Sequence, residues 1–217
     1  MIATTEIGAA VEAKGFAIVE GVLSRATVDH LLTYLEHIGD IGSVRKRGGI
    51  FAVRNLLDVS PEVRELAHSE AVRALVEPVL GDRFFAVRGI LFDKIPDANW
   101  KVPWHQDVTI AVEERVEVEG FGPWSIKADV LHVQPPAEVL EHMVSVRLPL
   151  DNCDEENGAL RVIHGSHLHG RIPEGRHSGY AGDNRSCVCR RHRRSVADAT
   201  SFAARLVTRR VFQDTAA

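Results

Sequence analysis

Apolar residues recur along this chain at two different periods, and the change from one to the other divides it. Phe16-Ala17-Ile18-Val19 is an apolar run of strand length, broken by Gly21. Ser24 then precedes Val28, Leu31, Leu32, Leu35 and Ile38, whose spacing puts them on one face of a helix capped by the serine. Ser60-Pro61-Glu62 repeats the signature of a cap followed by proline at the first helical position. From there Val63, Leu66, Val72, Leu75, Val76 and Leu80 carry an amphipathic helix, or a close pair of helices, to Gly81. Beyond Arg83 the period shortens. Phe84, Phe85, Val87, Ile90, Leu91 and Phe92 favour extended backbone as far as Ile95, and Pro96-Asp97 opens a loop. Trp104–Val112, Asp129–Val133, Val144–Leu150 and Ala159–Ile163 are short β-prone pieces punctuated by Pro123, Pro135-Pro136 and Asn157-Gly158. Helices followed by many short strands predict an α+β protein built on a β-sandwich or barrel.

Composition narrows this further. The 217 residues, 45% hydrophobic and 26% charged, suit one globular domain with a real core. No apolar run approaches the ~20 residues a membrane span needs, and Met1–Glu6 lacks the features of a secretory signal, so the cytoplasm is the expected compartment. Cys153, Cys187 and Cys189 are too few for a disulfide framework and are expected as free thiols. The net charge of −4 conceals a break near Pro173. Before it stand 17 Lys and Arg against 26 Asp and Glu; after it stand nine Arg, no Lys and four acids. The later segment has no sustained apolar period and reads as a poorly ordered tail.

The sharpest chemical feature is Trp104-His105-Gln106-Asp107. Residues two apart on a strand share a face, so His105 and Asp107 can point together into a barrel interior. An imidazole and a carboxylate supply two metal ligands; a further histidine from a distant strand completes the 2-His-1-carboxylate triad of non-haem Fe(II) oxygenases, with open positions for co-substrate and O2. Alone, a His-x-Asp pair is weak evidence, since it occurs often by chance and is more commonly a surface pair or one that supports other ligands. It is followed, however, by Val146–Asp151, the acidic turn Asn152–Gly158 and Ala159–His167.

With these the sequence resembles the phytanoyl-CoA dioxygenase family of Fe(II)- and 2-oxoglutarate-dependent oxygenases. The resemblance runs from about Gly15 to Pro173: an early strand and capped helix, Trp104–Asp107, Glu156–Leu160 and Gly165-Ser166-His167 in the family's order. It implies a double-stranded β-helix, or jelly roll, flanked by N-terminal helices, with His105 and Asp107 binding iron. It implies Fe(II), 2-oxoglutarate and O2 as cofactor and co-substrates, and a small organic or acyl substrate hydroxylated as 2-oxoglutarate becomes succinate and CO2. Related halogenases have a small residue in place of the carboxylate, so Asp107 favours hydroxylation. For the distal carboxylate of 2-oxoglutarate, family position points to Arg54 and to the Ile90/Lys94 face of one strand.

The resemblance stops after Pro173. The family's second iron histidine and its 2-oxoglutarate arginine lie on late strands, in a pattern this chain lacks. We read the break as a shift of reading frame near Glu174–Arg176. With codon choice left free, Asp198–Val207 read one nucleotide earlier can give Met-Arg-Arg-Pro-Leu-Leu-His-Ala-Ser, the missing histidine overlapping Ala204 and Arg205. The expectation is then a domain over 1–173 and an atypical tail over 174–217, with closing strands missing, weak iron binding and little turnover.

Other residues carry less. His164, His167 and His169 have ligand-like spacing but fall in a turn after a strand, where hydrogen bonding or exposure is expected. Cys187, Cys189 and His192 lack a second pair for zinc. The Arg185–Arg194 run has no aromatic platform or nucleic-acid motif, so no nucleic-acid partner is expected, nor a membrane. Asp129 and His132 are expected as polar partners near the substrate mouth or surface, and Trp100, Trp104 and Trp124 as lining of the entrance or ordinary packing. The rival reading is an inactive, truncated jelly roll that keeps only scaffold or small-molecule binding. Substrate and oligomeric state are not legible.

Overall fold

The computed structural model describes residues 4–38, 44–46, 50–92, 102–127, 129–151, 160–172, 185–187, 206–208 and 213–215. Helix α1 (Thr4–Lys14) opens the chain and stops where Gly15 takes a φ of +87°, its N–H returning to the Val11 carbonyl at 2.8 Å. Helix α2 (Arg25–Glu36) starts as its sequence dictates: the Ser24 hydroxyl accepts from the Thr27 N–H at 3.1 Å. It buries Val28, Leu31 and Leu35 and leaves Leu32 on its outer side. After a single turn, α3 (Leu56–Val59), the second helical region resolves into the close pair α4 (Pro61–His68) and α5 (Glu70–Leu80). Each of the two has its own serine cap, Ser60 accepting from Val63 N–H and Ser69 from Val72 N–H.

Among the described residues thirteen short strands follow one another as β1 (Phe16–Ala17), β2 (Val44–Lys46), β3 (Ile50–Val53), β4 (Leu91–Phe92), β5 (Val102–His105), β6 (Ile110–Val112), β7 (Trp124–Lys127), β8 (Val130–Val133), β9 (Ser145–Arg147), β10 (Leu160–Ile163), β11 (Arg185–Cys187), β12 (Leu206–Thr208) and β13 (Gln213–Thr215), with α6 (Ala137–Glu141) between β8 and β9. Every pairing is antiparallel, in four small sheets ordered β1-β12-β9, β11-β10-β13-β5, β2-β3-β4 and β6-β8-β7. The stretch expected as one strand from Trp104 to Val112 is two, β5 and β6, because they join different sheets and the chain crosses between them at 106–109. Of the described residues in the extended run after Arg83, only Leu91–Phe92 finds a ladder partner, in β3.

Missing closing strands are not what the fold shows. Leu206–Thr208 lies between β1 and β9, Gln213–Thr215 lies between β10 and β5, and Arg185–Cys187 lines the other side of β10. Ladder pairing needs only backbone N–H and C=O groups, and sheet edges left open demand partners; a segment without the family pattern can therefore still supply strands. The acidic turn at 152–158, Cys153, Cys189, His192 and residues 198–205 of the segment proposed to be read in another frame lie outside the described residues.

Apolar clusters bind helices to strands. Ile7 and Val11 of α1 meet Leu75 of α5 together with Ala17 and Val19. Leu35 and Ile38 pack on Val53 and Leu56, and Phe16 packs on Leu160 and Val162. No helix among the described residues is long and apolar enough to cross a membrane.

The α1–α5 contact is tight at Gly8, where a Cβ would stand 2.6 Å from the Pro78 carbonyl oxygen. Alanine favours a helix by roughly 1 kcal/mol over glycine, but overpacking against rigid backbone costs about 1–3 kcal/mol. Gly8→Ala should therefore lower the urea midpoint; an unchanged or raised midpoint would show that the two helices separate freely.

Candidate metal centre

Strand β5 ends at His105, and the direction of the four residues Trp104–Asp107 is fixed from one side. Trp104 packs on the Ile163–Ile172 cluster, with the Arg161 guanidinium 5.6 Å from its ring centre. Gln106 donates through Nε2 to the Gly170 carbonyl at 3.0 Å and accepts at Oε1 from the Ile172 N–H at 2.9 Å. Both side chains are thus committed to the 160–172 segment. Residues 105 and 107 alternate with them, and the structure brings these two together: His105 Nε2 lies 3.8 Å from Asp107 Oδ1. The imidazole is 36% exposed and the carboxylate 74%.

Two donors each about 2.1 Å from a shared ion can be at most ~4.2 Å apart, so the observed 3.8 Å lets one divalent ion hold both. The dyad fits a metal. Among the described residues there is no cluster of three or more His, Cys, Asp or Glu able to complete the set.

A cationic flank faces this dyad. His132, on β8, is wholly buried rather than at a mouth or on the surface. Its Nδ1 lies 2.9 Å from the Val130 carbonyl, to which it donates, so Nε2 keeps its lone pair and accepts from Arg88 Nη1 at 2.6 Å. Burial above all depresses the His132 pKa below the ordinary imidazole value. The Val130 hydrogen bond opposes the shift, while the charges of Arg88, Lys127 and Arg54 add to it. Arg88 also reaches the Arg54 carbonyl through Nε at 3.4 Å. Its own pKa is lowered by burial and by Arg54, and raised by the attraction of Asp107. Lys127 Nζ donates to Thr109 Oγ1 at 3.0 Å. Arg88 Nη2 and Arg54 Nε are buried with no hydrogen-bond partner among the described residues. Each such orphan costs about 1–3 kcal/mol or more for a charged group.

Of the residues expected to meet 2-oxoglutarate, Arg54 thus stands in this flank, Ile90 is partly exposed two residues from Arg88, and Lys94 lies outside the described residues, as does Trp100. Sequence reasoning missed Arg88 altogether. Asp129 serves the β7–β8 turn, with a φ of +61°. Two of the three late histidines are engaged in packing or hydrogen bonding. His164 meets Phe16 edge-on at 4.8 Å, and His167 Nε2 bonds the Glu12 carbonyl at 2.8 Å. His169 lies exposed in the 3-10 turn Ser166–His169. A cleft of about 220 Å³ runs from Val108, which follows Asp107 in the chain, past Gly120, Gly122 and Gln134–Ala137 to Leu140 and Arg171.

The family model described as Phytanoyl-CoA dioxygenase (PhyH) matches residues 11–196. The chain belongs to this family. By family it is an Fe(II)- and 2-oxoglutarate-dependent oxygenase. Among solved structures it is similar to AviO1 from Streptomyces viridochromogenes Tue57, at 19% identity and a TM-score of 0.60 over 100% of this chain and 88% of that one. It is similar also to the epimerase SnoN in complex with Fe3+, alpha ketoglutarate and nogalamycin RO, at 18% identity, TM-score 0.59, 99% of this chain and 77% of the other. A third is EctD from S. alaskensis with bound Fe, at 14% identity, TM-score 0.60, 96% of this chain and 69% of the other. At these identities the likeness carries the fold. No curated protein sequence matches the chain.

Two outcomes follow from this geometry. Gln106→Leu strips the Gly170 carbonyl and the Ile172 N–H of their partners and should cost about 1–3 kcal/mol in urea unfolding; an unchanged midpoint would mean the glutamine does not clamp the motif. The second concerns pH. The folded His132 takes up a proton less readily than the unfolded chain, so its stability contribution is full above the unfolded value of about 6.5 and declines as pH falls below it. Urea midpoints at two pH values on either side of that point should fall further on acidification in the native protein than in His132→Gln; equal falls would contradict the burial of a neutral imidazole.

Proposed function

We propose that this chain holds Fe(II) through His105 and Asp107 and hydroxylates an unactivated C–H bond of a small organic or acyl substrate, 2-oxoglutarate and O2 being consumed and succinate and CO2 released. The observation that carries the reading is the 3.8 Å approach of His105 Nε2 to Asp107 Oδ1 at the end of β5, within a chain of the phytanoyl-CoA dioxygenase family. Bound iron supplies the activation of O2 and the site at which 2-oxoglutarate is decarboxylated; the remaining roles belong to the protein. Gln106 and Trp104 hold the strand end so that both donors face the same way. Asp107 occupies with a carboxylate the position that must stay open for halide in halogenases, which favours hydroxylation. Arg54, with Nε buried and unpartnered among the described residues, offers a cation to the distal carboxylate of 2-oxoglutarate, and Ile90 and Lys94 are the other positions that the family resemblance assigns to this co-substrate. The cleft that begins at Val108 is the approach for a small substrate.

The oxygenase domain in this reading is a jelly roll over 1–173, and 174–217 is a segment that departs from the family's sequence while lending strands to two sheets. With two donors rather than three among the described residues, iron binding is weak and turnover slow.

Anaerobic titration of the full chain with Fe(II) tests this. The native protein should bind one equivalent weakly. His105→Ala and Asp107→Ala should each weaken binding at least tenfold, and only the native, iron-loaded protein should release succinate from 2-oxoglutarate, slowly. Native-like iron affinity in both variants would overturn the ligand assignment; iron binding with no succinate formed at any protein concentration would leave the inactive scaffold as the correct reading.

A further inference from the structure

The cleft that starts at Val108 is walled by apolar side chains, Pro135, Pro136, Ala137 and Leu140 among them, and among the described residues its lining carries one charge, Arg171. An exposed arginine is ordinarily a solvated surface charge. This one is fixed at its backbone and at its head. Its neighbours on either side supply the two groups that Gln106 clamps, the Gly170 carbonyl and the Ile172 N–H. The contact that turns His105 and Asp107 the other way thus also sets where the arginine leaves the chain. At its head stands the Gln134 amide. A guanidinium has only N–H groups to offer, so the amide oxygen faces it, accepting from Nη1 and, at 3.3 Å, from Nη2. Gln134 is in turn tied to the end of the β7–β8 hairpin: its N–H donates to the Pro123 carbonyl at 3.2 Å, and its carbonyl accepts from the Gly122 N–H at 2.8 Å.

What this pair can recognise follows from its donors. The amide oxygen is engaged by Arg171, while the amide NH2 and the other guanidinium N–H groups can only donate. The matching ligand group is an acceptor with no N–H or O–H of its own. One cation among apolar walls balances a single negative charge, which suits a carboxylate and leaves a phosphate monoester, at about −1.5 to −2, only partly neutralised. The cleft's volume of about 220 Å³ lies below the roughly 300–1,000 Å³ of ordinary small-molecule pockets, so the body attached to that carboxylate is compact and apolar.

We propose that Arg171, positioned by Gln134, binds the carboxylate of a compact and otherwise apolar organic acid, and that such acids are the substrate class of this chain. As a statement about substrate this rests on the iron reading; as a binding site it does not. Val108, the residue after Asp107, lines the same cleft, which links the site to the dyad. Gln134 acts through Arg171, holding its guanidinium in place.

Isothermal titration of the metal-free full chain with cyclohexanecarboxylate should show saturable binding that Arg171→Gln weakens about tenfold and Arg171→Lys restores in part. The neutral probe cyclohexanecarboxamide should bind about tenfold more weakly than the acid, and equally to the native chain and to Arg171→Gln. Gln134→Glu is the sharper variant: its carboxylate keeps hold of Arg171 but cancels the charge, so binding of the acid is lost while the thermal midpoint stays at or above the native one. An unchanged midpoint in Arg171→Gln separates loss of the site from loss of the fold. Arg54→Gln should leave affinity for the acid as it is. Absence of saturable binding, equal affinity in native and Arg171→Gln protein, or a loss in Arg54→Gln instead, would each overturn the proposal. Succinate release by the iron-loaded chain, measured alongside, keeps the two readings apart. Turnover with no dependence of acid binding on Arg171 sinks this proposal alone; Arg171-dependent binding in a chain that takes up no iron sinks the iron reading and leaves a carboxylate-binding cleft.

Discussion

The Gln106 amide donates to the Gly170 carbonyl and accepts from the Ile172 N–H, and the chemistry of the molecule depends on this two-point contact. The ladder of β5 ends at His105, so Gln106 and Asp107 have no strand partner among the described residues to hold them. Trp104 and Gln106 are anchored to the segment that follows β10, so alternation along an extended backbone sends His105 and Asp107 the other way. A single-residue slip would exchange the two pairs, aiming an indole and an amide where the imidazole and carboxylate now stand. The glutamine in the middle of the motif is therefore as necessary to the site as the two residues that could touch an ion.

Electrostatics on the opposite flank follow from burial. His132 is enclosed within the β6-β8-β7 sheet and stays neutral, which lets it accept from Arg88, a residue that precedes a different sheet. A protonated imidazole there would set a second cation against Arg88 with no acceptor between them. Through this bond the β7–β8 hairpin and the segment leading into β4 share one polar centre, with Asp107 its counter-charge.

The parts of this arrangement that local pattern encodes are legible in the chain. Period-three-and-four apolar residues behind Ser24 and Ser60 give α2 and α4 at the expected starts, and His-x-Asp at period two gives a pair that meets. Three things are not legible. Helix α1 buries little more than Ile7 and Val11 on its apolar side, too short a stripe to stand out. Arg88 and His132 are 44 residues apart and meet only once two sheets are assembled, so no spacing rule links them. The closing positions are taken by Leu206–Thr208 and Gln213–Thr215 although the family pattern ends near Pro173, because pairing is a property of backbone and open edges more than of motif.

That last point gives the C-terminal segment its place in the account. Gln213 stands in register with His105, so the strand that bears the histidine is paired along its length by the most atypical part of the sequence. The most direct test of the central claim is the anomalous scattering of iron in crystals of the full chain soaked anaerobically with Fe(II). The account predicts a single peak within about 2.3 Å of both His105 Nε2 and Asp107 Oδ1. A peak at His164–His169, or one that touches only one of the two side chains, would contradict it.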